Sequence, residues 1–127
     1  MESLDRGFEN ALELHGGEML RWTGPAMYRV RRSWVGGRIY LSDQRFFFCP
    51  GVLSRRRYGV LRVPLAEVVG VAVLDRTFSL GSVAEGALRR RLQISTTSGE
   101  RHAFSMQAFD RRAGELQALL ASNRSAL

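Results

Sequence analysis

Gly36-Gly37-Arg38-Ile39-Tyr40-Leu41-Ser42-Asp43-Gln44-Arg45-Phe46-Phe47-Phe48-Cys49-Pro50 is the stretch whose reading decides the fold. Ile39 and Leu41 alternate with Arg38 and Tyr40, and Phe46 and Phe48 alternate with Arg45, Phe47 and Cys49. A period of two belongs to a strand with one face on a core. The stretch is therefore expected to form a β-hairpin with Ile39, Leu41, Phe46 and Phe48 pointing inward. Its turn, Ser42, Asp43 and Gln44, lacks Gly. That predicts a longer type I connection in place of a two-residue primed turn. Gly36-Gly37 opens the hairpin and Pro50-Gly51 closes it, because Pro has no N–H for a ladder and Gly tolerates a reversal.

Toward the N-terminus, Leu20 with Trp22, and then Tyr28 with Val30, share a face, while Gly24-Pro25 interrupts between them. The pattern predicts a first strand, a kink, and a second extended piece running to Trp34. Earlier still, Leu4, Phe8, Ala11 and Leu12 stand at helical spacing before Gly16-Gly17, so a short amphipathic helix is expected there. Residues 1–16 thus read as an acidic N-terminal segment and residues 17–127 as one domain.

Toward the C-terminus, Val52 to Tyr58 contains Arg55-Arg56-Arg57 without alternation and reads as a loop. Leu61, Val63 and Leu65 then alternate with Arg62, and Pro64 implies an edge position or a strand end. Val68 to Leu74 is almost wholly apolar, the pattern of a strand buried on both faces. Asp75 to Leu88 has no period and is expected to be a long connection. Leu92, Ile94 and Thr96, the turn Ser98-Gly99, and His102, Phe104 and Met106 make a second hairpin. Phe109, Ala113, Leu116 and Leu120, with Leu119 beside them, form one apolar stripe of a helix, with Asp110 as candidate N-cap and Asn123 as candidate stop. About seven strands followed by one amphipathic helix is an α+β pattern, mostly β. Ile39, Leu41, Phe46, Phe48, Val71, Ile94, Phe104, Leu116 and Leu120 are expected to form the core.

The chain of 127 residues is long enough for a single core, and its one cysteine, Cys49, excludes an intramolecular disulfide or a cysteine metal cluster. No run approaches the roughly 18 apolar residues of a membrane-spanning helix, and the first residues are acidic, unlike a signal peptide. A cytoplasmic location is the default expectation.

All 19 basic residues are Arg and none is Lys, which fits a GC-rich coding sequence. Their placement says more than their number. Residues 1–20 hold one Arg against five acids, residues 21–62 hold ten Arg against Asp43 alone, and residues 63–127 hold eight Arg against six acids. Charge gathered in one stretch in this way suits an anionic partner.

Enzymatic chemistry finds little support. His15 and His102 with one Cys make no metal set, and His102 alternates with Phe104 as a structural histidine would. Cys49, within an aromatic strand, reads as a small buried hydrophobe. Ser33, Ser42, Ser95 and Ser98 lack a nucleophile-elbow context, and no glycine-rich phosphate loop is present. Neither catalysis nor a cofactor is expected. The arginines remain: Arg29, Arg31 and Arg32 before the central hairpin, Arg55, Arg56 and Arg57 after it, and Arg89 to Arg91 later. In a simple meander the connections flanking one hairpin lie at the same end, so Arg31-Arg32 and Arg55-Arg57 are expected to converge there. Guanidinium forks suit phosphate, and Trp34 and Tyr58 suit a lipid interface. The plainer reading is of solvated strand ends that keep sheet edges from pairing.

The run Gly37-Arg38-Ile39-Tyr40-Leu41-Ser42-Asp43-Gln44-Arg45-Phe46-Phe47-Phe48 resembles the signature of the bacterial GRAM and pleckstrin-homology-like domains: a glycine, a strand, a Ser/Thr-Asx-x-Arg turn and an aromatic strand. Val63-Pro64-Leu65-Ala66-Glu67-Val68-Val69-Gly70-Val71 is similar to a second passage of that family, Leu92 to Phe104 to its last hairpin, and Gly16-Gly17-Glu18 to its start. The resemblance spans about Gly17 to Ala121. It implies a bent barrel of two near-orthogonal antiparallel sheets with a C-terminal helix over one end, in a family where enzymes are rare. Some members bind phosphoinositides or other anionic lipids; others bind peptides or partner domains. Two functions stay open: docking on an anionic lipid or membrane surface, peripheral to the inner membrane face, through Arg29, Arg31, Arg32, Trp34, Arg55, Arg56, Arg57 and Tyr58, or binding of a partner protein at a strand edge or helix groove. Nucleic acid ranks third, since the aromatics follow core patterns and no recognised motif is present.

Overall fold

The computed structural model describes residues 12–74 and 90–125. The helix expected before Gly16, apart from Leu12, and the connection from Asp75 to Leu88 lie outside the described residues. In chain order the elements are β1 (Leu20–Val30), β2 (Ser33–Ser42), β3 (Arg45–Pro50), α1 (Val52–Tyr58), β4 (Leu61–Pro64), a 3₁₀ turn (Leu65–Glu67), β5 (Val68–Leu74), β6 (Arg91–Thr96), β7 (Arg101–Ser105) and α2 (Phe109–Ser125). The strands form one seven-stranded antiparallel sheet in the order β4-β3-β2-β1-β7-β6-β5.

The sheet is bent, and the packing shows why. β1 pairs with β2 along nearly its whole length but meets β7 only at Met27 and Tyr28, opposite Ser105 and Phe104. In a flat sheet β3 and β7 would stand about 14 Å apart, three spacings of about 4.8 Å. Yet the Phe104 ring lies 5.1 Å from Phe46 and 5.8 Å from Phe48, both on β3. The two halves of the sheet therefore fold over the short β1–β7 seam and face each other. β4 and β5 do not pair, so the barrel stays open between them. α2 covers the core with Ala113, Leu116 and Leu120, and the Trp22 indole N–H donates to Glu115 Oε2 at 3.1 Å, tying β1 to it.

The expected core is found: Ile39, Leu41, Phe46, Phe48, Ile94, Phe104, Leu116 and Leu120 are buried in one cluster, with Val71 half-buried against it. The expected central hairpin forms, pairing Ile39 with Phe48 and Leu41 with Phe46. Its other face is also buried, which the alternation did not suggest. Tyr40, Phe47 and Cys49 pack with Leu12, and Leu20 and Val60 lie against them. Segments outside the sheet cover a face that its arginines had marked as solvated.

Several expectations require correction. β1 runs unbroken through Gly24-Pro25 and turns at Arg31-Arg32, so Trp34 belongs to β2. The hairpin connection is only Asp43-Gln44, and neither residue is among those with positive φ. It is short without being primed, because the Ser42 hydroxyl accepts from the Gln44 and Arg45 N–H groups at 3.0 and 2.9 Å and closes the turn from the side. Val68–Leu74 is an edge strand with Val69 half exposed, not a strand buried on both faces. Asp110 stands inside the first turn of α2, where it pairs with Arg90, and α2 runs past Asn123 to Ser125. Val52 to Tyr58 is a helix, not a loop. Leu and Arg are good helix formers, Gly51 and Gly59 flank the segment, and three arginines in its last turn suit the negative end of the helix dipole.

Candidate functional site

The sequence concentrates arginine on both sides of the central hairpin, and the topology puts both groups at one end of the sheet. Arg31 and Arg32 form the two-residue turn between β1 and β2, with Val30 opposite Ser33. Arg31 has φ 58°. A positive φ at the first of two turn positions is the II′ pattern, which Gly normally fills, so a side chain there carries strain. Arg29 stands opposite Trp34. Its guanidinium lies 5.9 Å from the Trp34 ring centroid, and its Nε–H donates to the Arg31 carbonyl at 3.0 Å. Beyond the last β2–β3 pair, Gly37 with Pro50, β2 continues as Ser33–Gly36. Four extended residues reach about 13 Å. α1 begins at the base of this projection, where the Gly51 N–H donates to the Gly36 carbonyl at 3.0 Å.

On α1 the three arginines differ. Arg55 is half-buried and its Nε–H donates to the Pro50 carbonyl at 3.4 Å, a local tie to β3. Arg56 and Arg57 are exposed, and Arg57 lies 5.4 Å over the Tyr58 ring. The two arginine groups thus share an end but occupy separate elements. Among the described residues, Arg31, Arg32, Arg56 and Arg57 meet no carboxylate, whereas Arg45 and Arg90 are each paired with an acid. Asp43, the one acid of residues 21–62, sits in the β2–β3 turn at the opposite end.

That opposite end holds a constellation whose contacts sequence reasoning missed. The Glu18 side chain is wholly buried and receives Arg45 in a fork, Nη2 to Oε1 at 2.6 Å and Nε to Oε2 at 3.1 Å. The Ser42 hydroxyl donates to Oε2 at 2.5 Å and the His15 backbone N–H to Oε1 at 2.9 Å. The Arg45 hydrogen bonds, outweighing the opposing effect of burial and helped by Ser42 and His15, lower the Glu18 pKa from 4.5 to about 2. Met19 and Asp43 close the join: the Met19 N–H donates to Asp43 Oδ1 at 3.1 Å and the Asp43 N–H to the Met19 carbonyl at 3.0 Å. The signal lay in the glutamate after Gly16-Gly17 and in Ser42-Asp43-Gln44-Arg45, but sequence spacing alone did not show that they meet.

The remaining chemical candidates are structural. The Tyr28 hydroxyl hydrogen-bonds His102 Nδ1 at 2.8 Å, and burial, with a smaller contribution from the Glu100 charge, pushes its pKa up. Tyr28 stacks on Phe104 at 5.0 Å. His102 Nε2 is 3.2 Å from Glu100 Oε2, too poorly aligned for a hydrogen bond. Cys49 is buried, which raises its thiol pKa against the opposing pull of Arg55 and Arg62. A pocket of about 400 Å³ lies between residues 25–27 of β1, Gly36 and Gly37 of β2, and residues 105–107, and none of the arginines lines it.

No protein-family model and no curated protein matches the sequence. Among solved structures, the chain is similar to the C-terminal domain of an unknown protein from Leishmania infantum, with TM-score 0.63 and 11% identity over 96% of each chain. It is also similar to the Vps36 N-terminal PH domain, with TM-score 0.61 and 18% identity over 89% of this chain and 84% of that one. A third likeness, with TM-score 0.61 and 14% identity, is to the linker-DH/PH region of p115-RhoGEF, of which 96% of this chain covers only 33%. Identities this low speak to fold alone. The open, bent sheet with its C-terminal helix is the pleckstrin-homology-like fold.

Proposed function

We propose that this chain is a non-catalytic module of the GRAM branch of the pleckstrin-homology-like fold, bacterial and cytoplasmic, that docks on anionic membrane through its arginine-rich end. The observation that carries this reading is the set of four exposed guanidiniums, Arg31, Arg32, Arg56 and Arg57, which meet no carboxylate among the described residues. Neutralising them takes a partner that brings its own negative charge, and lipid phosphates present that charge as a surface. Arg29, Arg55, Trp34 and Tyr58 border the same end, the two aromatics offering amphipathic rings of the kind that sit at headgroup level. Co-sedimentation with phosphatidylcholine vesicles, with and without phosphatidylserine, tests it. The protein is expected to pellet with the anionic vesicles only, and failure to do so at low salt rejects the reading.

A second reading has its own support. Among the described residues β4 and β5 are the outer strands of the sheet, so a partner peptide could extend it at either. A chain that ignores anionic vesicles yet is captured through β5 would be an adaptor.

A further inference from the structure

The arginine end also carries apolar surface that headgroup binding does not use. Val52, at the first position of α1, is 67% exposed, and Tyr58, at its last, is 40% exposed. Other exposed apolar side chains lie elsewhere: Met19 beside Asp43 at the far end, and Val69 on the β5 edge. Single exposed apolar residues are ordinary. On α1, however, Val52 is one helical turn from Arg56, with Arg57 and Tyr58 following, so seven residues combine an apolar group, unneutralised charge and an amphipathic ring. An anionic bilayer supplies a counterpart for each of the three: phosphate for the guanidiniums, the headgroup boundary for the ring and acyl chains for the apolar group.

From this geometry we infer that α1 is a membrane-inserting wedge, with Val52 entering the acyl boundary while Arg56 and Arg57 hold the phosphates and Tyr58 stays at headgroup level. The inference rests on the docking reading of the arginine end and adds a contribution that salt does not screen. Val52 makes no polar contact and is mostly solvated, so replacing it leaves the fold intact. Val52→Ser should weaken binding to phosphatidylcholine/phosphatidylserine vesicles by up to about tenfold, the worth of burying one aliphatic side chain. The loss should persist at high salt.

The decisive measurement places an environment-sensitive fluorophore on Val52→Cys in the full chain, where buried Cys49 does not compete for label. Emission should shift to the blue on phosphatidylserine-containing vesicles. The same label on Ala66→Cys, exposed in the 3₁₀ turn, should stay water-like. If the labelled chain co-sediments while position 52 stays water-like, insertion is wrong and docking stands. If the unlabelled parent does not co-sediment with anionic vesicles, docking itself is wrong and insertion falls with it. A blue shift that grows with protein concentration without vesicles would assign α1 to contact with a second copy and overturn the inference.

Discussion

Glu18 is the residue on which one end of the fold closes, and its ionisation makes that closure dependent on pH. Its pKa is 4.5 in the open chain and about 2 when folded. The unfolded chain therefore takes up this proton first as pH falls, and the stabilisation is fully present above about pH 4.5 and gone below about pH 2. A shift of this size corresponds to about 3 kcal/mol at most. Glu18→Gln should lower neutral-pH stability by up to that amount and flatten the acid limb between those values, as measured by urea unfolding at a series of pH values. An unchanged acid limb would mean that the Arg45 fork contributes nothing in solution. Gly37 is the second residue to which the fold is sensitive, for steric reasons alone. A Cβ there would lie 2.3 Å from the Cys49 carbonyl oxygen and 2.8 Å from Pro50 Cα, both backbone atoms with little room to yield. Gly37→Ala should cost about 1–3 kcal/mol through overpacking, while Gly36→Ala, which meets nothing within 4 Å, should be nearly neutral by thermal melting.

At the scale of elements, α2 is the piece whose removal distinguishes a cap from an appendage. Leu116 and Leu120 are fully buried against residues from both halves of the bent sheet. Ending the chain before Phe109 should expose that core and yield aggregated protein or a molten state, by gel filtration and near-UV circular dichroism. A monomeric, cooperatively melting product would place α2 outside the folding unit. The apolar stripe of α2 was legible because its spacing runs through three turns, and the central hairpin because its faces alternate. α1 was not, since seven residues holding three consecutive arginines present no period, and its helix rests on flanking glycines and on packing against β3. β5 failed for a related reason. An unbroken apolar run says that side chains are apolar, not that both faces are covered, and only the sheet order shows β5 at an edge. The burial of Tyr40 and Phe47 was hidden too, because Leu12 and Val60 come from segments outside the sheet.

At the scale of the whole molecule the charge excess becomes a testable surface. The two arginine groups share an end but stand on separate elements, and their local roles could not be read from sequence: Arg55 is tied to Pro50, while Arg31, Arg32, Arg56 and Arg57 face solvent. That difference selects the variant. Replacing Arg55 would disturb the α1–β3 join as well as the charge, whereas Arg31→Gln, Arg32→Gln, Arg56→Gln and Arg57→Gln remove charge and, besides it, only the contact of Arg57 with the exposed Tyr58 ring. Each basic residue near an anionic surface contributes about 1 kcal/mol. The four together should therefore weaken binding to phosphatidylserine-containing vesicles by about three orders of magnitude at low salt, to below detection in co-sedimentation. The melting temperature should hardly move, since exposed substitutions away from packing usually change stability by less than about 0.5 kcal/mol. Parent binding should fall as salt rises, because the screening length drops to about 10 Å at 0.1 M. The binding that survives high salt should be weakened by Val52→Ser, again by up to about tenfold, and kept in the quadruple variant, once binding is followed at lipid concentrations high enough to detect it. Equal binding by parent and quadruple variant at low salt would show that the guanidiniums are only solvated strand ends, and would leave the β5 edge as the surface to probe for a protein partner.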